Sequence, residues 1–245
     1  MSKVFVPRLD TLPDAQQRLW PELAQTPENF TLYGGTAIAL HLGHRQSFDF
    51  DFFALTSSFE PGSLLGKLPY LKSAIVRQSA ADVSFLVEHD LFRKPVSTFR
   101  DHAVTVTVDR GGLVQLSFFG GLGLGQVAPA EQVEGPRFKV AALIDLAGMK
   151  AAVVTQRAEL KDYLDIHVLM TKANISLAEM LAAGINIYGA QFNPLLSLKA
   201  IAYHDDPALA ELSKKVRHDL IEAVKATDPQ RLPVLSAVRK RAAEP

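Results

Sequence analysis

Polar and aromatic residues alternate along residues 47–53, and this pattern predicts a strand with two unlike faces. The aromatic face would lie in a core, and the polar face would point away from it. One face would carry Ser47, Asp49 and Asp51, and the other would carry Phe48, Phe50 and Phe52. Carboxylates two residues apart on a strand lie roughly 7 Å apart at their Cα atoms, so both can reach one cation.

The patterns on either side of this strand predict an α/β lobe followed by a helical lobe. Amphipathic spacing predicts a helix over residues 12–23, and shorter signals predict a strand at 30–33 and helices at 36–42 and 61–71. Further strands are predicted at residues 74–78, 83–87, 103–108 and 113–119, with a hairpin turn between the last two. Residues 129–137 have the composition of a polar linker. We therefore predict an α/β lobe in residues 1–128 and a helical C-terminal lobe in residues 138–245.

Two glycines, Gly34 and Gly35, lie between the predicted strand at 30–33 and the helix that Thr36 begins. Glycine lets a backbone turn tightly and approach a ligand, and the N–H groups at a helix N-terminus attract anions. A glycine pair alone is usually an ordinary turn, and an Asp-x-Asp strand often only faces solvent. Their combination in one strand–helix–strand unit predicts a site for a nucleotide phosphate with Mg²⁺, which takes few protein carboxylates and adds water and phosphate oxygens.

Composition narrows the class of protein. A chain of 245 residues that is 48% hydrophobic can bury a substantial core. Lys and Arg number 26, as do Asp and Glu, so any RNA contact would need a local basic patch. The chain has no cysteine, which excludes disulfides and suits a reducing cytoplasm. No apolar run approaches the ~20 residues of a spanning helix, and no signal peptide is evident. We expect a cytoplasmic protein without membrane contact.

Two blocks of residues carry a family resemblance. Gly34-Gly35-Thr36 followed by Arg45-x-Ser47-x-Asp49-x-Asp51 resembles the first motif of the polymerase-β-like nucleotidyltransferase superfamily. The second block is similar to the helical motif of the AbiEii/AbiGii toxin family, and it consists of residues 145–150, Arg157 and residues 161–165. The resemblance implies a mixed-sheet core that moves a nucleoside monophosphate from an NTP to a hydroxyl of tRNA or protein. It also implies a toxin with a partner antitoxin.

The resemblance implies roles for single residues. Asp49 and Asp51 would hold Mg²⁺, Asp162 would act as a supporting group or base, and the remaining groups would bind the triphosphate: Gly34, Gly35, Thr36, Ser47, Lys150 and Lys161. Arg45 could clamp a phosphate or pair at a helix C-terminus. If residues 150–165 form one helix or two nearly aligned helices, one sector carries Lys150, Arg157, Lys161 and Asp165. Lys161 and Asp165 could instead form only an exposed ion pair, whereas Lys150 lies in an apolar segment and needs a partner.

A third carboxylate is missing from the expected position. Polymerase-β-like enzymes usually present one on a strand beside the first two acids, where it shares a metal and helps to deprotonate the attacking hydroxyl. This chain offers Ser117 there, and Asp109 lies at the predicted turn. Three hypotheses therefore remain: an active nucleotidyltransferase, a catalytically weakened nucleotide- or protein-binding module of the same fold, and a scaffold without a ligand.

Overall fold

The computed structural model describes residues 4–55, 57–71, 75–77, 103–135 and 138–241. The chain divides into two compact units. Unit 1 comprises Met1–Gly123 and Pro129–Ala141, and unit 2 comprises Leu124–Ala128 and Ala142–Pro245. The predicted strand at residues 83–87 lies outside the described residues.

Unit 1 is built on one mixed sheet, to which the described residues contribute eight strands. Their bounds are β1 Val4–Phe5, β2 Thr31–Tyr33, β3 Asp49–Ala54, β4 Ile75–Arg77, β5 Ala103–Asp109, β6 Leu113–Gly120, β7 Glu131–Val133 and β8 Lys139–Val140. The strand order across the sheet is β1-β7-β8-β2-β3-β6-β5-β4. Strand β3 lies in the middle of this order, antiparallel to β2 and parallel to β6. The predicted mixed sheet is therefore confirmed.

The helices in the described part of unit 1 are short. They are α1 Asp14–Leu19, α2 Gly34–Leu42 and α3 Pro61–Lys67, with 3-10 turns at Leu9–Thr11, Trp20–Gln25 and Pro69–Leu71. The single helix predicted over residues 12–23 is thus α1 followed by a 3-10 turn that contains Pro21. Helix α3 begins with a proline, which has no N–H to leave unpaired. The Glu60 carboxylate accepts hydrogen bonds from the backbone N–H groups of Gly62 and Ser63 at its start.

An aromatic core covers one face of β3. Phe50 and Phe52 are fully buried, and Phe52 stacks on Phe118 of β6 with 5.3 Å between ring centroids. Phe138 meets Phe52 edge to face. The prediction for Phe48 was wrong: its side chain is 68% exposed, because β3 begins only at Asp49 and the alternation does not extend back to Phe48.

Residues 129–137 are not simply a linker. Glu131–Val133 forms β7, which pairs in parallel with β1 and antiparallel with β8. Strands as short as β7 and its neighbours show no period-two pattern in the sequence. The polar composition of residues 129–137 was therefore interpreted wrongly as a linker.

Unit 2 is helical, as predicted for the C-terminal part of the chain. Its helices in the described residues are α4 Leu143–Val153, α5 Leu160–Thr171, α6 Leu177–Tyr188, α7 Pro194–Ala202 and α8 Lys214–Lys225. Helix α6 starts with a capping box between Ser176 and Glu179. Helices α4 and α6 approach closely at small residues. A Cβ atom built on Gly148 would lie only 2.8 Å from the Cβ atom of Ala183, so the contact has no room for a side chain at position 148.

Candidate active site

The junction between β2 and α2 lies directly beside an acidic side chain of β3. Strand β2 ends at Tyr33, which pairs with Asp51, and α2 begins at the next residue, Gly34. Gly34 has a φ of +76°, a conformation that favours glycine. A Cβ atom on Gly34 would collide with Oδ2 of Asp51. The fold therefore brings the Asp51 carboxylate against the first residue of α2.

The second glycine is in contact with the loop that precedes β3. A Cβ atom on Gly35 would collide with a guanidinium nitrogen of Arg45 and would lie 3.3 Å from the Ser47 hydroxyl. Arg45 also donates a hydrogen bond of 2.9 Å to the backbone carbonyl of Gln46. The structure thus brings Gly34, Gly35, Arg45, Ser47 and Asp51 together at the N-terminus of α2.

Asp49 lies on the same face of β3 as Asp51. Both are half-buried, whereas the intervening Phe50 is fully buried on the other face. Thr36 is buried, and its hydroxyl donates a hydrogen bond to the backbone carbonyl of Asp49. The Thr36 side chain therefore ties α2 to β3, and only its backbone N–H could serve a phosphate at the helix N-terminus.

The carboxylates of Asp49 and Asp51 suit a magnesium ion. Mg²⁺ commonly takes one or two protein carboxylates and completes its shell with water and phosphate oxygens. The contact between Asp51 and Gly34 places one such carboxylate where the helix N–H groups favour a phosphate. Within the described residues no group of three or more histidine or acidic side chains could hold a metal ion. An ion at this pair would have room in its shell for oxygen atoms of the nucleotide and of water.

The neighbouring strand presents neutral side chains beside the acidic pair. In the parallel pairing of β3 with β6, Asp51 lies opposite Ser117, and Asp49 lies opposite Gln115. Ser117 thus occupies the position that the sequence suggested. Asp109 is unsuited to the role of third acid, because its carboxylate accepts hydrogen bonds from the backbone N–H groups of Gly111 and Gly112 in the hairpin turn.

Unit 2 contains a buried network of charged residues between α4 and α5. The Lys150 ammonium lies 2.5 Å from Asp162 and 2.8 Å from Asp165, and all three residues are buried. Arg157, in the turn between the two helices, donates from Nε to the other oxygen of Asp162 at 2.9 Å. Two cations thus face two carboxylates, and this set is called the α4–α5 network below.

The contacts of the α4–α5 network hold its members in their charged forms. Burial by itself would lower the pKa of Lys150, but the carboxylates of Asp165 and Asp162 outweigh burial and raise it above its ordinary value. Burial would raise the pKa of Asp162, but Lys150 and Arg157 outweigh it and hold that pKa below its ordinary value. A carboxylate with a lowered pKa is a weak proton acceptor.

Two of the alternatives left open for this region do not occur. Residues 150–165 do not form one helix, because α4 ends at Val153 and α5 begins at Leu160. Lys161 and Asp165 do not form the exposed ion pair considered as an alternative. Lys161, about half exposed, lies 2.9 Å from Glu159, and Asp165 turns inward to Lys150.

One buried carboxylate in unit 2 has a role that the sequence did not indicate. Asp145, near the start of α4, accepts hydrogen bonds of 2.7 and 2.9 Å from the backbone N–H groups of Val127 and Ala128. Burial raises the pKa of Asp145 to about 6, although these bonds and the charge of Arg239 oppose the rise. The sequence shows Asp145 as a single acid in an apolar segment, and this pattern does not identify Val127 and Ala128 as its hydrogen-bond donors.

The mixed sheet that presents the acidic pair beside a glycine turn is similar in fold to a solved structure of a nucleotidyltransferase toxin. The chain is similar to MenT4, a nucleotidyltransferase toxin from Mycobacterium tuberculosis, with 13% identity and a TM-score of 0.51 over 89% of this chain and 85% of that one. It also resembles a protein from H. pylori assigned as a nucleotidyltransferase, with 17% identity and a TM-score of 0.45 over 86% of this chain and 90% of that one.

The chain belongs to the family of nucleotidyl transferase AbiEii toxins of type IV toxin–antitoxin systems, whose sequence model matches residues 18–241. No curated protein matches the sequence. The helices of the described residues are all too short or too polar to cross a membrane.

Proposed function

We propose that this protein is a Mg²⁺-dependent toxin that transfers a nucleoside monophosphate from an NTP to a hydroxyl group of tRNA or protein. The contact of the Asp51 carboxylate with Gly34, at the N-terminus of α2, carries the proposal. It joins a carboxylate suited to a metal ion with N–H groups suited to a phosphate. Family membership supports nucleotidyl transfer and a partner antitoxin. Because NTPs and tRNA are cytoplasmic molecules, we also propose that the reaction takes place in the cytoplasm.

The residues around α2 would bind and orient the triphosphate. The first N–H groups of α2 and the Arg45 guanidinium would contact phosphate oxygens, and Ser47 would add a hydroxyl donor. Asp49 and Asp51 would hold Mg²⁺, which when bound neutralises phosphate charge and fixes the triphosphate. Such neutralisation favours phosphoryl transfer, because negative charge is spread over the phosphate oxygens in the transition state.

The chemical step is a displacement at the α-phosphorus. The acceptor hydroxyl oxygen forms a bond to that phosphorus, and the bond from the phosphorus to the oxygen that bridges to the β-phosphate breaks. Pyrophosphate leaves with the electron pair of the broken bond, and the hydroxyl proton passes to water or to a base. In-line attack of this kind depends mainly on positioning and charge stabilisation, which are the functions assigned to the residues around α2.

We propose that Lys150 and Asp162 have a positioning role, in which their ion pair holds helices α4 and α5 together. Each of their charges is matched inside the α4–α5 network, and Asp162 is too weak a base to remove a proton from a hydroxyl. Lys161 is the better candidate for triphosphate charge, since about half of its side chain is exposed and its partner Glu159 is exposed to a similar degree. Exposed ion pairs of this type contribute little and rearrange easily.

A second candidate function is a binding module of the same fold that holds a nucleotide without turnover. The observation in its favour is the neutral Ser117 opposite Asp51. It differs from the first proposal in one outcome, because a module would bind NTP with Mg²⁺ but would not release pyrophosphate.

The test is transfer of label from each α-labelled NTP to total tRNA and to a protein lysate, with pyrophosphate release measured in parallel. Asp49→Asn and Asp51→Asn are expected to abolish transfer while the protein stays folded. Asp10→Asn is the matched control, because Asp10 is an exposed carboxylate of the same unit and its ion-pair partner Arg8 is exposed as well. Equal transfer by all four proteins would refute the proposal, and nucleotide binding without any transfer would favour the module.

A further inference from the structure

A row of neutral polar side chains crosses the sheet beside the acidic pair. Ser117 of β6 lies opposite Asp51 of β3, and Thr105 of β5 lies opposite Ser117 in the next pairing. Residues opposite each other in neighbouring strands point to the same side of the sheet. Ser117 and Thr105 therefore lie on the face that carries Asp49 and Asp51, and the Thr-Val alternation of β5 leaves valines for the other face.

Ser117 is held in place as a neutral group. Its side chain is 3% exposed, and its hydroxyl oxygen lies 3.2 Å from the Thr105 hydroxyl oxygen in a buried hydrogen bond. Gln115, opposite Asp49, is neutral as well. In the described part of the chain, the strand next to the acidic pair thus supplies no anionic oxygen at the two positions that face it.

The number of anionic ligands limits the number of divalent ions that a site can hold. Ions in two-metal sites lie about 3.5–4 Å apart. Two doubly charged ions at a given distance repel each other four times as strongly as two single charges, so anionic ligands must offset that repulsion. Two carboxylates and a triphosphate suit one ion with its shell of water and phosphate oxygens.

We propose that the nucleotide site holds a single divalent cation, and that Ser117 sets this number by occupying the position from which a third carboxylate would bind a second ion. This inference rests on the proposed function, because it concerns the same acidic pair. A carboxylate at position 117, and not merely a larger side chain, would then admit a second ion.

The test counts bound Mn²⁺, whose preference for oxygen ligands resembles that of Mg²⁺. Protein and a non-hydrolysable α,β-methylene analogue of each NTP are titrated with Mn²⁺, and the loss of the free-ion signal in electron paramagnetic resonance gives the number bound. Protein without the analogue is titrated as the blank, because the ion that the bound nucleotide carries belongs to the count. The wild type is expected to bind one ion for each nucleotide bound, and Ser117→Asp is expected to bind two.

Ser117→Asn is the matched control, since it adds the size of aspartate without its charge, and it should still bind one ion. Two ions on the wild type, or one ion on a folded Ser117→Asp protein, would overturn the inference and leave the proposed function standing. No Mn²⁺ on the wild type with any analogue would overturn the proposed function together with the inference. If Ser117→Asp does not fold, the wild-type count decides.

Discussion

The ammonium group of Lys150 lies between the carboxylates of Asp162 and Asp165, 2.5 and 2.8 Å away, and all three side chains are buried. Removal of one partner from a buried ion pair leaves an uncompensated charge, which typically costs about 3–5 kcal/mol. Lys150→Ala is therefore expected to lower the free energy of unfolding by about that amount. Urea denaturation of both proteins at neutral pH measures it.

Lys161→Ala is the matched control for Lys150→Ala. Lys161 is also a lysine of the second motif, but its ion pair with Glu159 is about half exposed. Exposed pairs contribute about 0–1 kcal/mol, so this variant should unfold almost like the wild type. A similar loss of unfolding free energy for both variants would mean that burial does not determine how much the ion pairs of Lys150 contribute to stability.

Part of the candidate site was predictable because its signals are local. The alternation around Asp49 and Asp51, and the glycines before α2, are set by neighbours in the chain. The partners of Lys150 were not predictable, although an apolar segment showed that it needed some. They depend on where α4 ends and α5 begins, and the break at residues 154–159 turns Asp162 and Asp165 toward Lys150. Asp145 gave no indication of its partners, because Val127 and Ala128 precede it by 18 and 17 residues.

Gly34→Ala should disrupt the candidate active site. The residue has a φ of +76°, and an added Cβ atom would collide with the Asp51 carboxylate. The backbone strain alone costs roughly 1–2 kcal/mol, and displacement of Asp51 should abolish binding of Mn²⁺ with the nucleotide analogue. Calorimetric titration and urea denaturation measure the two effects.

Gly66→Ala is the control for Gly34→Ala. Among the described residues no heavy atom lies within 4 Å of a Cβ atom built on Gly66, which is inside helix α3. Alanine is favoured over glycine in a helix by about 1 kcal/mol, so this variant should be as stable as the wild type or more so and should bind normally. Normal binding by Gly34→Ala as well would show that the contact with Asp51 does not matter for the nucleotide.

The stability of unit 2 should depend on pH through Asp145. Its folded-state pKa is raised from the ordinary 3.8 to about 6, so the folded state binds a proton more readily than the unfolded state between these values. The stabilisation is complete below the ordinary pKa and is lost as the pH rises through about 6. A shift of this size corresponds to about 3 kcal/mol.

Asp145→Asn isolates this effect, because asparagine does not titrate and all other groups are unchanged. We expect the unfolding free energy of the wild type, relative to Asp145→Asn, to fall by about 2 kcal/mol between pH 4 and pH 7, because part of the full effect lies below pH 4. Urea denaturation of both proteins at several pH values measures the difference. A difference that stays constant over this range would show that Asp145 does not carry the pH dependence.

Phe52 inside β3 and Phe48 just before it should differ sharply in their contribution to stability. Phe52 is fully buried and stacks on Phe118, whereas Phe48 is 68% exposed before β3 begins. Truncation of a buried phenylalanine costs about 3–5 kcal/mol, and substitution of an exposed residue usually changes stability by less than about 0.5 kcal/mol. Phe52→Ala should therefore lower the urea midpoint strongly, and Phe48→Ala, its matched control, should not. Equal losses would mean that Phe48 packs into the core as the unbroken alternation first suggested, and that β3 extends further toward Ser47.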